Sequence, residues 1–568
     1  MTFPSSPSNE DLHAEFGRTF KYSSASNSWS SATPDAPVDN TPTTQGYVDT
    51  VSLPLTDVVA GSKAFVQEGN KLFIFTGNGW FEIATINTAP TITQGANATY
   101  ELNADGTPTV ITLQATDPEG TPIIWGYQVA SGSLEDTTVT NIDNVFTITP
   151  GTVASVFNLT FTASDGVNID TSASSFSLSF GPDWTLTTQQ AKIQAADKQL
   201  NDNFGASVSI DGDTVVVGAN GEDTVGVDSG AAYIFTKTGS AWTQQQKIQA
   251  SNVGAGDQFG YSVAIDGDTV IIGAQLEDAG GTNAGAAYVF TRSGTTWTEQ
   301  QKIVASDAEA TDYFGYSVSI SGDTAVVGAR LEDTGGSQAG AAYIFTRDGT
   351  TWTEQQKIQA SDIQAGDNFG YSVAISGDTV VVSAYAEDTG GNEAGAAYIF
   401  TRSGTTWTQQ QKIQSSDAEA SDWFGISVSI SGDTVVVGAW KEDTGGSNAG
   451  AAYVFTRSGT TWTQQQKIQA SDIETNDEFG ASVSISGDTV IVGARLEDTG
   501  GLSAGAAYVF TRSGTTWTEQ AKIQASDAQR TDQFGNSVAI DGDTVVVAAF
   551  AESTGGASAG AAYIFTAP

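Results

Sequence analysis

The chain has 568 residues, which is more than one ordinary hydrophobic core accommodates, so roughly two to four domains are expected. Its 65 acidic residues against 22 Lys and Arg give a formal charge of −43. This charge argues against nucleic acid or an anionic membrane as a partner, because both would repel it. The absence of cysteine excludes disulfides and thiolate metal sites, and the abundance of Gly, Thr, Ser and Val is typical of β-structure.

The first residues, MTFPSSPSNEDLHAEF, contain neither the basic nor the apolar region of a secretory signal. No apolar stretch approaches the roughly 18 residues that a membrane-spanning helix needs. We therefore expect a chain without membrane insertion. Its acidity and β composition nevertheless suit an exterior location.

Two short hairpins are predicted near the N-terminus. The segments RTFKYSSASNSW (18–29) and KLFIFTGNGW (71–80) each contain an aromatic pair two residues apart, a turn and a Trp. We therefore expect small β modules at 1–33 and 46–86, joined by a Pro- and Thr-rich linker at 34–45.

The pattern FPSSPSNEDLH…GRTFKY…W resembles the small β modules of virion proteins from marine tailed phages. The resemblance covers about 85 residues. It implies that the N-terminal modules attach the chain to other virion proteins.

Alternating β segments run from NTAPTIT (87–93) to SFSLSF (175–180) and predict a β-sandwich at 87–181. The segments ATDPEG, FTITP and FTASDGVN resemble those of cadherin-like and immunoglobulin-like domains on bacterial and phage surfaces. In such domains acids like Asp117, Glu119 and Asp165 sometimes bind calcium. The composition of DPEG favours a turn instead.

A repeat of 55 residues fills the rest of the chain. The dipeptide Phe-Gly recurs at this spacing, at Phe204, Phe259, Phe314, Phe369, Phe424, Phe479 and Phe534. Each unit predicts four short strands, as in FGYSVAI, TVVVGA, AAYIFTR and WTQQQKIQA, and the short connections make neighbouring strands antiparallel. One such sheet cannot bury both faces. Seven sheets packed around an axis can, so we expect an all-β chain with a seven-bladed β-propeller at 182–568.

The phase of the repeat predicts how the ring closes. The last unit ends after its third strand, and its missing fourth strand is found upstream as DWTLTTQQAKIQ, residues 183–194. We expect this segment to pair with residues 534–566, which removes the open sheet edges.

The pattern FG…VVGA…GAAYVF resembles the FG-GAP repeat of integrin α-subunit propellers and of many microbial surface proteins. The resemblance covers 184–568 and implies the propeller fold. The Pro of GAP is absent here, and the calcium loop of the integrin type is shortened to DGD or SGD. Such turns offer too few oxygens for calcium, so no calcium site is expected in them.

The two faces of the predicted disk differ in their sequence variation. The turns after the first and third strands repeat SGDT or DGDT and RSGTT, whereas the residues after Gly-Ala and before Phe-Gly vary among the copies. Both variable positions belong to the face where the second and fourth strands end, and Trp, Tyr and Arg there are typical of a recognition surface. Alternatively, they have drifted because solvent tolerates any side chain. The predicted ligand-binding residues are Tyr313, Arg330, Tyr385, Trp423, Trp440, Arg495 and Phe550.

The same face is predicted to carry a ring of acids. One Glu of each unit stands in a Glu-Asp pair (Glu-Ser in the last), and an Asp precedes each Phe-Gly by two residues. These acids could hold divalent cations such as calcium; alternatively the Asp caps a turn and the Glu is solvated. We expect neither a cofactor nor a fixed metal site. The acids are Glu222, Glu277, Glu332, Glu387, Glu442, Glu497 and Glu552, and Asp202, Asp257, Asp312, Asp367, Asp422, Asp477 and Asp532.

Several catalytic chemistries are excluded in the propeller. The single histidine, His13, belongs to the first module, so a Ser-His-Asp arrangement is impossible there, and a cysteine nucleophile is absent. Paired carboxylates could still hydrolyse glycosides, but among so many acids their presence carries no information. We therefore predict no catalytic residues.

Three functions remain as hypotheses. The first is a non-enzymatic structural protein on the exterior of a marine tailed phage, such as a tail or head fibre, possessing a propeller that binds a host-surface glycan or protein. Such a protein could form a homo-oligomer. The second is a bacterial cell-surface or secreted adhesin, and the third is a carbohydrate-active enzyme.

Overall fold

The described part of this computed structural model consists of strands, turns and one short 3₁₀ segment. It divides into two compact units, Met1–Phe180 and Gly181–Pro568. Of the linker predicted at 34–45, only Gln45 is among the described residues. No helix in the described part of the chain has the length and apolarity that a bilayer span requires. The described residues are 12–15, 18–23, 28–32, 45–47, 53, 60, 62–66, 71–85, 88–94, 98–102, 107–151, 155–178, 183–278 and 280–567.

The first unit begins with two small sheets. Tyr22 pairs with Trp29 in one hairpin and Phe75 pairs with Trp80 in the other, which confirms both predicted hairpins. Gly77, at φ +92°, makes the turn of the second hairpin. The strands are Leu12–Glu15, Arg18–Ser23 and Ser28–Ala32 in the first sheet, and Gln45–Tyr47, Lys63–Val66, Lys71–Phe75 and Trp80–Thr85 in the second.

The described strands between residues 91 and 178 form three sheets. Ile111 and Phe146 from the first sheet and Phe161 and Phe176 from the third share one buried core, because alternate residues of a strand point inward. The cadherin-like or immunoglobulin-like assignment stays a prediction. The strands are Thr109–Thr112, Val145–Thr149 and Thr138–Ile142; Gln114–Thr116 and Thr91–Gln94; and Ile124–Gly132, Ser155–Ser164, Ile169–Leu178 and Thr99–Glu101.

The DPEG segment of this region is a turn, as predicted. Oδ1 of Asp117 accepts hydrogen bonds from the backbone N–H groups of Glu119 at 3.0 Å and Thr121 at 2.8 Å. Glu119 in turn accepts from the hydroxyl of Thr88. These acids therefore hold loops together.

The second unit contains seven four-stranded antiparallel sheets, numbered here as blades 1 to 7 in chain order. Their strands are called inner, second, third and outer. The inner strands are Phe204–Asp211, Ser262–Asp266, Phe314–Ser321, Phe369–Ser376, Ser427–Ser431, Phe479–Ser486 and Ser537–Asp541. The second strands are Thr214–Ala219, Thr269–Ala274, Thr324–Ala329, Thr379–Ala384, Thr434–Ala439, Thr489–Ala494 and Thr544–Ala549.

The third strands are Ala231–Thr238, Ala286–Ser293, Ala341–Asp348, Ala396–Ser403, Ala451–Ser458, Ala506–Ser513 and Ala561–Thr566. The outer strands of blades 1 to 6 are Ala241–Ile248, Thr296–Ile303, Thr351–Ile358, Thr406–Ile413, Thr461–Ile468 and Thr516–Ile523. The outer strand of blade 7 is Thr188–Ile193, preceded by the 3₁₀ segment Trp184–Leu186.

Blade 7 is closed by strands from the two ends of the second unit. Thr188 pairs with Thr566 and Ile193 with Ala562, in antiparallel register. This is the pairing predicted from the phase of the repeat. The inner strand of blade 7 also packs against the inner strand of blade 1, which completes the ring. No open edge remains between the first and last blades.

Each hydrophobic core lies between two neighbouring blades. The second strands are buried along their whole length, which explains apolar runs such as TVVVGA. In one core, Val216 and Ile234 of blade 1 pack with Phe259 and Ile272 of blade 2. A single blade could therefore not bury its own apolar faces.

The Phe-Gly dipeptide joins each blade to the preceding one. The N–H of Phe479 donates to the carbonyl of Ala449, and the Phe479 ring lies edge-on to Tyr508. Gly480 has φ +92°, and a Cβ there would lie 2.3 Å from the Ala451 carbonyl oxygen. Only glycine fits this position.

Glutamine and tryptophan side chains tie the outer strands together. Gln411 of blade 4 accepts from the backbone N–H of Trp462 in blade 5 at 2.8 Å, and its amide donates to the Trp462 carbonyl at 2.7 Å. Gln410 accepts from the Trp462 indole. Equivalent bonds occur at five of the seven seams between blades, at Trp297, Trp352, Trp407, Trp462 and Trp517.

The arginines of the constant RSGTT turns also join neighbouring blades. Nε of Arg292 donates to Asp268, and Nη1 donates to the hydroxyl of Thr214 in the preceding blade. The guanidinium also lies over the Trp297 ring, 5.2 Å from its centroid. This face repeats the same residues because they hold neighbouring blades together.

Candidate ligand-binding face

The two variable positions of a blade lie side by side. In blade 6, Phe479 at the start of the inner strand pairs with Ala494 at the end of the second strand. Glu478 and Arg495 flank this pair, and Glu478 accepts a hydrogen bond from Nε of Arg495 at 2.6 Å. We call the face that carries these positions the variable face, and the opposite one the constant face.

The residues at the two variable positions are chemically matched within several blades. The matched pairs are Gln258 with Gln275, Tyr313 with Arg330, Trp423 with Trp440, and Glu478 with Arg495. The two positions therefore vary together, because each residue contacts its partner across the end of the blade.

Aromatic and cationic side chains of blades 3 to 6 form one continuous set of contacts, here called the aromatic array. Its ring centroids are 4.5–5.7 Å apart, as in favourable aromatic pairs. Lys441 lies over the Trp423 ring, and Arg495 lies over the Trp440 ring at 3.9 Å. In order, the array contains Tyr313, Arg330, Tyr316, Tyr371, Tyr385, Trp423, Trp440 and Arg495.

The structure places all seven predicted binding residues on the variable face. Six of them belong to the aromatic array, and Phe550 of blade 7 lines a funnel that also contacts Trp440 and Arg495. All seven are half-buried, so they are not the freely solvated side chains that the drift interpretation assumed. Their ligand-binding role stays a prediction.

Sequence reasoning missed the position after Phe-Gly. Tyr261, Tyr316 and Tyr371 occupy it in blades 2 to 4, and their tilted rings contact each other in sequence around the axis, with centroids 5.0 and 4.9 Å apart. The signal was present, since Ala206, Ile426, Ala481 and Asn536 show that this position also varies. Its proximity to the axis is visible only in the ring.

Three tyrosines of the array, Tyr316, Tyr371 and Tyr385, are held in the neutral form. Burial raises the pKa of Tyr371 and of Tyr385, and burial together with the neighbouring phenols raises that of Tyr316 well above its usual range. Their hydroxyl groups can therefore donate hydrogen bonds to a ligand at any physiological pH.

The Glu residues of the acidic ring are buried, so the expectation that they are solvated is wrong. Their exposed fraction is 0–5 %. Each forms an ion pair with the Lys of the outer strand of the same blade, with N–O distances of 2.5–3.0 Å. In blade 5, Glu442 also accepts from the amide of Gln469. These carboxylates are thus part of the framework.

The Asp residues two before Phe-Gly cap turns, as predicted. Oδ2 of Asp422 accepts from the backbone N–H of Glu419 at 2.7 Å, and the equivalent bond occurs in every blade. Desolvation by burial raises the pKa of Asp422 to about 6, despite this hydrogen bond and with a contribution from the nearby Glu442 carboxylate. The same value applies to Asp312, Asp367 and Asp477.

The Asp residues that directly follow the ring glutamates also form hydrogen bonds within the protein. Oδ1 of Asp443 accepts from the backbone N–H of Asn448 at 2.7 Å, which closes the loop between the second and third strands. Within the described residues, no group of three or more His, Cys, Asp or Glu side chains is arranged to hold a metal ion. The carboxylates of the acidic ring are committed to lysines and to loop backbone.

Seven antiparallel sheets around an axis, closed by strands from both ends, define a seven-bladed β-propeller protein with one constant and one variable face. Seven stretches of the chain match the profile of the FG-GAP repeat: 187–235, 242–290, 297–345, 352–400, 407–455, 462–510 and 517–565. Together they cover more than half of the chain, so the chain belongs to the FG-GAP repeat family. Each match includes the outer strand of one blade and three strands of the next.

Other comparisons add little to this assignment. No curated protein matches the chain significantly. Among solved structures, a quinonprotein alcohol dehydrogenase-like protein from Bacteroides thetaiotaomicron is similar at 10 % identity with a TM-score of 0.34. That match covers 77 % of this chain and 97 % of the other.

Proposed function

We propose that this chain is a non-enzymatic attachment protein whose variable face binds a glycan or protein on a host-cell surface. Its N-terminal modules would hold it on the exterior of a marine tailed phage. The observation that supports the binding role is the aromatic array, which extends over four consecutive blades of one face. Tyr, Trp and Arg are the residues that dominate recognition surfaces.

The backbone conformation at two residues of the array indicates that their bulky side chains serve a function rather than the fold. Residues before Phe-Gly adopt left-handed φ angles in all blades, +57° at Trp423 and +60° at Tyr313. This conformation suits Asn, as at Asn203 and Asn368, and is unfavourable for bulky side chains. Trp423 and Tyr313 therefore occupy positions where the fold alone would favour other residues.

The array is also prepared for binding at a low entropic cost. Its rings are held by each other and by hydrogen bonds such as that from Nε1 of Trp423 to Glu393 at 3.1 Å. Side chains that are already fixed lose little freedom when a ligand binds. The ring carboxylates are held by lysines and turns, which fits a binding role better than acid–base catalysis.

Binding of the fluorescently labelled full chain to marine bacterial cells tests this function. Trp423→Asn and Trp440→Asn introduce residues that other blades carry at the same positions, so the fold should be retained. We expect each to weaken cell binding by about tenfold or more, as for central aromatic residues of interfaces. Lys237→Gln, on the constant face, is the control and should bind as wild type.

Two outcomes would contradict the proposal. Wild-type binding by both Trp variants would remove the variable face as the binding surface. Immunogold labelling of purified phage particles tests the location, and label found on bacterial cells but not on particles would assign the chain to an adhesin instead.

A further inference from the structure

A funnel of about 360 Å³ opens at the axis of the variable face. Its wall contains side chains from six blades, because the residues after Phe-Gly of the inner strands surround it. One side is aromatic and cationic, with Tyr371, Trp440 and Arg495, and the other carries amides, with Asn203, Asn220 and Asn536.

Two polar atoms of this wall are buried from solvent and have no hydrogen-bond partner among the described residues. Nε1 of Trp440 lacks an acceptor, and Oδ1 of Asn220 lacks a donor. Buried polar groups are normally satisfied, so each such atom calls for an explanation. Both belong to the same funnel, one on each side of it.

Phe550 contributes a third unused group. In the described part of the chain its ring contacts no other aromatic ring and no cation, whereas Trp440 is stacked on Trp423 and covered by Arg495. The wall of the funnel therefore contains one apolar ring without an aromatic or cationic neighbour, together with one donor and one acceptor that are buried from solvent and that a side-chain rotation would turn toward the funnel.

We propose that the funnel binds a single neutral saccharide unit, entering end-on along the axis. This inference rests on the proposed function and names the ligand of that face. Sugar hydroxyls both donate and accept, so after small side-chain rotations they could satisfy Asn220 and Trp440, while the C–H face of the ring packs on Phe550.

The volume and the charge of the funnel both favour a single neutral sugar unit as the ligand. The volume lies near the lower end of the roughly 300–1,000 Å³ of ligand sites, which suits one sugar ring better than an extended chain. Side chains of six blades surround the funnel, so a polysaccharide would reach it most directly with its end. Arg495 is already neutralised by Glu478 at 2.6 Å, which favours a neutral over an acidic sugar.

Saturation-transfer difference NMR with the full chain tests the proposal, using the methyl glycosides of glucose, galactose, mannose and N-acetylglucosamine and, for comparison, of glucuronic acid. We expect transfer to at least one neutral glycoside. Asn220→Leu and Trp440→Phe each remove one hydrogen bond and should weaken it about three- to tenfold, and Phe550→Ala should do so more strongly. Leu502→Ala, an exposed residue outside the funnel, is the matched control.

Several results would overturn the inference. These are the absence of transfer to every neutral glycoside, stronger binding of the glucuronide, or unchanged binding in all three funnel variants with wild-type melting temperatures. If cell binding nevertheless depended on Trp423, the attachment function would stand with a different ligand, such as a protein. The failure of this inference is therefore distinguishable from failure of the proposed function.

Discussion

Glu442 lies 2.7 Å from Nζ of Lys467 with only 4 % of its surface exposed, and the other six blades repeat this buried ion pair. Burial alone would lower the pKa of Lys467, but hydrogen bonds to Asp417 and Glu442 raise it. The sequence suggested the ring glutamates as possible ligands of cations. In the structure, each of them is paired with a lysine of its own blade instead.

Replacing this carboxylate should destabilise the propeller. Glu442→Gln leaves the Lys467 ammonium half-buried with only Asp417 as an acidic partner, and we expect a loss of about 2–4 kcal/mol in the free energy of unfolding. Denaturant titration measures this value. The control is Asp433→Asn, which breaks the exposed pair with Arg457 and should cost less than about 1 kcal/mol. Equal losses in the two variants would contradict the structural role of Glu442.

Mild acid should stabilise the propeller. The pKa of about 6 at Asp312, Asp367, Asp422 and Asp477 exceeds the ordinary value of 3.8, so the folded state binds more protons between these values. Their unfavourable contribution at neutral pH is relieved as the pH falls through about 6, and it reappears as the pH rises. We expect the melting temperature to be higher at about pH 5 than at about pH 7.5.

Stronger acid should reverse this gain. Burial alone would raise the pKa of Asp417, but the hydrogen bond from Lys467 helps to lower it, so its stabilisation is lost as the pH falls below about 4. Replacing the four aspartates whose pKa is about 6 by Asn keeps the acceptor of each turn and should reduce the rise between pH 7.5 and 5, to which Asp202, Asp257 and Asp532, with raised pKa values, also contribute. A full rise in that variant would assign the effect to the net charge instead.

The Gln–Trp hydrogen bonds should stabilise the seams between neighbouring blades, so that losing them lowers the stability and adding them raises it. Gln411→Ala removes the partners of the Trp462 backbone N–H and C=O and should cost about 1–3 kcal/mol. At the seam between blades 7 and 1 the equivalent residue is Ala191, beside Trp242. We expect Ala191→Gln to raise the stability by about 1 kcal/mol. Calorimetry checks both variants, and a loss of stability in Ala191→Gln would show that this seam cannot accept the bond.

Closure by the upstream strand should decide whether the propeller stays monomeric. A chain beginning at residue 181 keeps Thr188–Ile193, whereas a chain beginning at residue 196 exposes the edge of the third strand Ala561–Thr566. We expect the first to elute as a monomer in size-exclusion chromatography and the second to aggregate. Monomeric behaviour of both would refute the closing role of the strand.

Much of the second unit could be predicted because its repeat is regular. The phase of the W…QQxKIQ segment located the closing strand, and the buried run TVVVGA located the second strands. The burial of Glu442 could not be predicted, because its partner Lys467 is 25 residues away in sequence and becomes adjacent only when the outer strand folds back. The binding residues were predicted only from the variation among the repeats. The contacts by which Tyr371 connects Tyr316 to Tyr385 were not predicted.

The sequence by itself determined the number of blades, the four strands of each and the pairing of the two ends, since period and strand patterns are local properties. Only the tertiary structure decided which side chains meet around the axis. Contacts such as Trp440 with Arg495 join different blades, and their distance depends on how the whole ring curves. The funnel and its three unused groups therefore follow from packing, which no single repeat encodes.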